Sequence, residues 1–294
     1  MKKVGFIGVG IMGKSMVRNL MKAGFELHIY ARTKSKVEDV IGEGAQFHES
    51  IKDCVQDCDA VITIVGFPQD VEEVYFDGGN ILDSAKKGAY LIDMTTTSPQ
   101  IAEKIYEEGT KRGFHVMDAP VTGGDTGAKA GTLSILVGGE KEDYEACMPL
   151  FEAMGTNINY QGKAGCGQHC KLANQIMIAG TLSGVCEALT YAKEQGLDPE
   201  VFMKSVATGA AGSKQLDTFG PKILKDDYAP GFFMKNFIKD MKLALIEANR
   251  KGLSLDVLSM VLANYEELEQ EGYGDLGTQA LMKFYDEEHR NMDE

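Results

Sequence analysis

The chain has 294 residues, with 30 Lys+Arg against 44 Asp+Glu and a formal charge of −14. At roughly 150 residues per domain this suggests two domains, enough to bury a core without disulfides or metals. The hydrophobic share of 44% and charged share of 25% are those of a globular protein, not a disordered one. The acidic balance argues against a nucleic-acid or anionic-membrane binder, which needs a basic face. It leaves room for a small anionic substrate in a locally positive pocket. No apolar run approaches the roughly 18 residues of a bilayer span, so no membrane contact is expected.

The opening MKKVGFIGVGIMGKSMV places two Lys before an apolar stretch, as a signal peptide does. Lys14, Arg18 and four Gly interrupt it, and a strand and turn fit better. Val4–Val9 reads as a strand, Ile11–Ala23 as a helix closed by Gly24, and Phe25–Tyr30 as a second strand. Between them, Gly8-Val-Gly10-Ile11-Met12-Gly13 is G-x-G-x-x-G. Following a strand and opening a helix, it has the context of a dinucleotide pyrophosphate site. Gly8 permits the tight turn, Gly10 lets backbone approach phosphate oxygens, and Gly13 allows close packing. The helix N-terminus offers unpaired N–H groups to the anion.

After the second strand comes Tyr30-Ala31-Arg32-Thr33-Lys34, with no carboxylate until Glu38. NAD sites usually place Asp or Glu there for the ribose 2′-OH, whereas Arg32 with Thr33 suits a 2′-phosphate. NADP(H) is therefore the favoured cofactor, with NAD(H) possible if Arg32 is only a solvated loop charge. Ala60–Val65 is a further strand, and Val65-Gly66 at its end faces the same crevice. Ala89–Asp93 is another, followed by Met94-Thr95-Thr96-Thr97-Ser98-Pro99. Ser98 reads as the cap of a helix running to about Arg112, which leaves Thr95 and Thr96 as cofactor candidates.

Phe114–Asp118 and Leu133–Val137 are the last strands read. Strands alternating with helices imply a parallel sheet covered on both faces. Asp118-Ala-Pro-Val-Thr122-Gly123-Gly124 ends its strand in a Gly-rich turn, where successive N–H groups make an anion nest for a carboxylate. Near residue 162 the pattern changes. Gly165–Gln195 has no strand signal and reads as one long helix. Asp198-Pro199 opens another, and helical periodicity runs towards Met282. The fold expected is an α/β domain, 1–162, then an all-α domain, 163–294, joined by the long helix, with a charged tail at Asp286–Glu294.

Lys171 falls in the first turns of that helix. The dipole disfavours a cation there, and partial burial adds to this, so its neutral form becomes accessible for proton transfer. Asn174 and Gln175, at i+3 and i+4, share its face, and either amide suits a substrate hydroxyl or carboxylate. Lys239-Asp240 lies on an amphipathic helix. Lys239 and Asp240 are both cofactor candidates, Lys239 for contact with substrate and nicotinamide, Asp240 for pairing with a neighbouring base or capping a local turn. Cys166-Gly-Gln-His169-Cys170 lacks the C-x2-C spacing of zinc sites, and no metal is expected. Six Cys without an export signal read as reduced thiols and suggest a cytoplasmic location.

Four segments in order, GVGIMGKSMVRNL (8–20), DAPVTGGDTGAKAGTLSILVGG (118–139), GKAGCGQHCKLANQ (162–175) and KDMKLAL (239–245), resemble the β-hydroxyacid dehydrogenase family. That family includes 3-hydroxyisobutyrate dehydrogenase, tartronate semialdehyde reductase and glyoxylate/succinic semialdehyde reductases. Thr122 stands where the family usually has Ser. The resemblance implies a Rossmann-type, doubly wound N-terminal domain and hydride transfer between NADP(H) and a small 3-hydroxy or 2-hydroxy carboxylate or its semialdehyde. It implies Lys171 as general acid/base, Thr122-Gly123-Gly124 as the carboxylate grip, and Lys239 as a substrate or nicotinamide contact. It also implies a homodimer or homotetramer with interlocking helical domains. Residues of the second domain such as Ser213, Phe232 and Phe233 are expected to shape the substrate pocket. Alternatives are a 6-phosphogluconate dehydrogenase-like decarboxylase, disfavoured by chain length and the lack of an added basic cluster, and a catalytically silent NADP-binding module. Imine reductases generally lack the Lys.

Overall fold

The structure is a computed structural model that describes residues 1–285; the tail Asp286–Glu294 lies outside the described residues. The chain divides into two compact units, Met1–Lys171 and Leu172–Glu294. The sheet ends at Gly162, where the sequence places the domain boundary, but the first turns of the long helix go with the first unit.

The first unit runs β1 (Lys3–Ile7), α1 (Ile11–Lys22), β2 (Glu26–Tyr30), α2 (Glu38–Gly42), β3 (Gln46–His48), α3 (Ile51–Val55), β4 (Ala60–Thr63), α4 (Pro68–Phe76), α5 (Ile81–Ser84) and β5 (Tyr90–Asp93). It continues with α6 (Pro99–Lys111), β6 (His115–Asp118), β7 (Val121–Thr122), α7 (Gly124–Ala130), β8 (Leu133–Gly139), α8 (Lys141–Ala146), α9 (Met148–Met154) and β9 (Gly155–Gly162). The strands form one sheet in the order β3-β2-β1-β4-β5-β6-β8-β7, with β9 on β8. From β3 to β6 every pairing is parallel. The chain passes outward from β1 to β2 and β3, then returns across β1 to β4, so the topological switch point lies between β1 and β4. Ligands of open α/β sheets bind at such a crevice.

The sheet is mixed rather than wholly parallel: β8 is antiparallel to β6 and to β7. The β6-to-β8 connection holds the two-residue strand β7, itself paired with β8, and the short helix α7. Both sheet faces are buried. Ile62, Ile92 and Met117 enter one apolar cluster with Phe6 and Leu20, while their neighbours Val61, Leu91 and Val116 enter another with Ile7 and Tyr75. This is why these strands are continuous apolar runs. Helix α1 buries Gly13, Met16, Val17 and Leu20, one face at helical spacing. It stops at Gly24, whose φ of +94° lets its N–H reach Met21 and that of Phe25 reach Leu20. Ser98 caps α6 through the Gln100 N–H, as its sequence indicates.

The helix α10 (Cys166–Glu194) leads into the second unit, followed by α11 (Pro199–Val206), α12 (Lys214–Ile223), α13 (Met234–Arg250) and α14 (Asp256–Gln270), with two 3-10 segments after it. Asp198 caps α11 through the N–H groups of Glu200 and Val201. The 29 residues of α10 are long and apolar enough to cross a bilayer by length and composition, which the reading of the sequence did not anticipate. Some of its apolar side chains are core, while Met177 and Tyr191 are exposed. Leu172, Ala179, Leu182, Cys186 and Leu189 pack with Phe237, Met241, Val261 and Tyr265 of the same unit.

Candidate active site

The G-x-G-x-x-G segment turns from β1 into α1. Gly8 has φ +97°, and a Cβ there would stand 2.1 Å from the Ile64 carbonyl oxygen. A Cβ on Gly13 would stand 2.1 Å from the Gly8 carbonyl oxygen. Both positions accept only glycine, and together they press α1 against the turn. Gly10 differs: among the described residues nothing lies within 4 Å of a Cβ built there. Gly10 is the N-cap of α1, with no side-chain cap and no acidic residue in the first turn. A helix start without a side-chain cap, with open space above Gly10 and the switch point adjoining, is the kind of place that can hold a phosphate group. Ile11 is exposed and Met12 half-buried at its edge.

Arg32 and Thr33 follow β2 and are exposed. The Arg32 guanidinium, though largely exposed, pairs with Asp70 in the first turn of α4. Hydrogen bonding to Asp70 raises the Arg32 pKa. The other Asp70 oxygen accepts the Phe67 N–H at 2.9 Å. The rim residue Arg32 is thus tied to the segment carrying Val65 and Gly66. Sequence reading missed Asp70; the signal available was Pro68 at the start of a helix with a carboxylate two residues on.

Thr95 does not present its hydroxyl to the crevice as expected. It is buried, and its Oγ1 accepts the Val65 N–H at 3.0 Å, tying the loop after β5 to the loop after β4. Thr96 is the half-buried neighbour. Below them, Thr63 Oγ1 donates to Asp93 Oδ1 at 2.8 Å, and the Thr95 N–H reaches the same oxygen at 3.1 Å. Burial pushes the Asp93 carboxyl up to about 6, with the neighbouring Asp118 adding to the shift.

Asp118, at the end of β6, is buried and faces the start of α10. Its Oδ1 accepts the Gly165 N–H and its Oδ2 the Gln168 N–H, both at 2.8 Å. Burial raises its pKa and these two N–H bonds oppose the rise. Gln168 is fully buried; its Nε2 donates to the Thr95 carbonyl at 2.7 Å and its Oε1 accepts the Thr97 N–H at 3.0 Å. Lys171, one turn on, is 7% exposed. A lysine this buried is uncommon unless its amine has a task or a partner. Gly123 and Gly124 have φ of +128° and +61°, and Thr122 is half-buried beside them. The structure ends the Gly-rich turn there, because α7 begins at Gly124.

In the second unit Gln175 is buried, and its Nε2 donates to Asp240 Oδ2 at 2.6 Å. Its Oε1 accepts from Asn174 Nδ2 at 2.7 Å. Lys239 Nζ lies 3.0 Å from Asp240 Oδ1. Asp240 therefore pairs with Lys239 and anchors the Gln175 amide. Gln175 is engaged at both ends, which leaves the half-buried Asn174 as the more available amide. Of the pocket-shaping residues expected, Ser213 caps α12 through the Leu216 N–H. Phe232 stands edge-on to Phe237, in the core of this unit.

Comparison with known proteins gives the family. Residues 3–162 match the family model described as the NAD-binding domain of 6-phosphogluconate dehydrogenase. Residues 165–285 match the one described as NAD-binding of NADP-dependent 3-hydroxyisobutyrate dehydrogenase. Among curated relatives, a probable 3-hydroxyisobutyrate dehydrogenase-like 1 of Arabidopsis thaliana is 44% identical over 95% of this chain and 84% of its own length. The 2-hydroxy-3-oxopropionate reductase of Escherichia coli is 37% identical over 86% of each chain. A solved 3-hydroxyisobutyrate dehydrogenase of Mycobacterium tuberculosis, described with L-serine, has a TM-score of 0.88 and 26% identity, covering 96% of this chain and 98% of that one. Fold, dinucleotide seat and matches define an NAD(P)-dependent oxidoreductase acting on CH–OH groups. Both halves match in register, and the chain belongs to the β-hydroxyacid dehydrogenase family, on its 3-hydroxyisobutyrate dehydrogenase-like side.

Proposed function

We propose that the chain interconverts a small semialdehyde, bearing its carbonyl close to a carboxylate, with the corresponding 3-hydroxy or 2-hydroxy acid, using NADP(H) in preference to NAD(H). The observation that carries this reading is the burial of Lys171 in the first turns of a helix pinned to the loops after β5 and β6. Gly8, Gly10, Ile11, Met12 and Gly13 would seat the pyrophosphate, Val65, Gly66 and Thr96 the adjoining rim, and Arg32 with Thr33 a 2′-phosphate. The nicotinamide, when bound, supplies or accepts the hydride at the carbonyl or carbinol carbon. In reduction, the Lys171 ammonium gives a proton to the carbonyl oxygen as it becomes an alkoxide. In oxidation, the neutral amine takes the hydroxyl proton. Asn174 orients the reacting oxygen, and the Thr122-Gly123-Gly124 turn donates N–H and O–H groups to the carboxylate. Lys239 keeps the role its motif implies, contact with substrate or nicotinamide. Such orientation supplies much of the rate in hydride transfer.

NADP(H) is favoured because a phosphate dianion can draw Arg32 from Asp70, whereas a ribose hydroxyl gains less from that guanidinium. The 6-phosphogluconate reading is weaker, since the helical half matches the hydroxyisobutyrate dehydrogenase description. We also assign a homo-oligomer formed through the helical unit, supported by exposed Met177, Tyr191, Val201 and Val257. The test is to mix the protein with NADPH, and separately with NADH, and a panel of three- and four-carbon semialdehydes and follow cofactor absorbance. Consumption is expected with at least one; no consumption across the panel with either cofactor overturns the proposal.

A further inference from the structure

The contacts around the start of α10 carry one inference that deepens the proposed function and rests on its assignment of Lys171. We infer that Asp118 and Gln168 are positioning residues that make the first turn of α10 and the loop after β5 a single rigid piece, so that Lys171 is placed by the same groups that shape the cofactor rim.

Three features support this. First, Asp118 caps α10 from 47 and 50 residues away, each carboxylate oxygen taking one of the N–H groups that a helix start leaves unpaired. Second, the surroundings of that carboxylate are closed. A Cβ on Gly138 would lie 2.5 Å from Asp118 Oδ1, and one on Gly167 would lie 2.3 Å from the Leu136 carbonyl and 2.8 Å from Asp118 Oδ2. Helix start and the strands β6 and β8 meet at glycine distance, so the helix cannot settle in another position without opening this contact. Third, Gln168 spends both ends of its amide on backbone, the Thr95 carbonyl and the Thr97 N–H. Thr95 in turn holds the Val65 N–H. An unbroken chain of hydrogen bonds, buried from Thr95 onward, thus runs from the loop after β4, through the loop after β5, to the helix turn preceding Lys171. A fixed amine matters because misplacement by about 1 Å can cost on the order of a hundredfold in rate.

The test uses full-length protein as wild type, Gln168→Glu, Lys171→Ala and the double variant. Gln168→Glu keeps the acceptor for Thr97 and loses the donor to Thr95; Gln168→Met loses both and serves as a second variant. Should Gln168→Met fail to fold, Gln168→Glu still decides the question. Expected is a ten- to hundredfold lower kcat for Gln168→Glu, NADPH affinity within about threefold of wild type, and faster amide exchange at Thr95–Thr97. In the Lys171→Ala background the Gln168 change should cost almost nothing further, because its effect passes through the amine. A Gln168→Glu enzyme within threefold of wild-type kcat overturns the inference, as does a loss that adds in full to that of Lys171→Ala. The underlying reading is judged separately by the Lys171→Ala form: wild-type turnover there removes Lys171 from the chemistry, and the positioning role falls with it.

Discussion

Replacing Gly10 by Ala separates the dinucleotide seat from the stability of the fold. Gly10 has φ −85° and ψ −156°, extended backbone that alanine adopts, and among the described residues its Cβ would meet nothing within 4 Å. The gain from a stiffer unfolded chain, about 0.4–1 kcal/mol, roughly offsets the poorer N-cap propensity of alanine. The melting temperature should stay within about 3 °C of wild type. The methyl would occupy the space where phosphate oxygens meet the N–H groups of α1. Loss of one charge-assisted hydrogen bond costs about 1.5–3 kcal/mol, a ten- to hundredfold weaker NADPH complex. Gly13→Ala is the control, since its Cβ would sit 2.1 Å from the Gly8 carbonyl oxygen, more than 1 Å too close. Overpacking of that kind costs about 1–3 kcal/mol, so this variant should lose both melting temperature and affinity. Calorimetric NADPH titration and thermal unfolding read both quantities. A Gly10→Ala protein that binds NADPH as wild type does would show that the phosphates lie elsewhere.

Two further outcomes follow from the site. Arg32→Asp should lower the ratio of kcat/KM for NADPH over NADH by at least tenfold, read from initial rates with each cofactor; an unchanged ratio removes Arg32 from cofactor selection. Asp93→Asn tests the buried carboxyl. Burial lifts its pKa from 3.8 to about 6. The folded state therefore holds the proton longer than the unfolded chain, and this group's contribution to stability falls as pH rises from about 4 to about 6. By neutral pH the cost is on the order of 3 kcal/mol. Asp93→Asn should be stabilising above pH 6 and nearly neutral near pH 4 in urea titrations; an equal effect at both pH values refutes the argument.

Much of the first unit was legible because its signals are local. Gly8 and Gly13 have no alternative to glycine, and the apolar runs of β1, β4 and β5 leave no polar face to confuse the period. The caps at Ser98 and Asp198 act over two or three residues, and both read correctly. What escaped is short, polar or long-range. β3 has three residues, and β9 is the largely exposed GTNINYQG, which carries no apolar alternation. α7, GDTGAKA, has the composition of a turn and becomes a helix at Gly124. The sheet direction reverses at β8, a long-range pairing that no local signal in the sequence specifies. In the site, the motif residues were readable as types, but their partners were not. The bonds from Arg32 to Asp70, from Asp118 to Gln168 and from Gln175 to Asp240 span 38, 50 and 65 residues. For the same reason Thr95 looked like a cofactor hydroxyl until its partner Val65 was seen.

The central claim is that the Lys171 amine exchanges a proton with the oxygen that gains or loses hydride. Its most direct measurement is single-turnover reduction of an accepted semialdehyde by Lys171→Ala preloaded with NADPH. The account predicts wild-type NADPH binding with a hydride-transfer rate lower by about a hundred- to ten-thousandfold. A rate within a few-fold of wild type would contradict it.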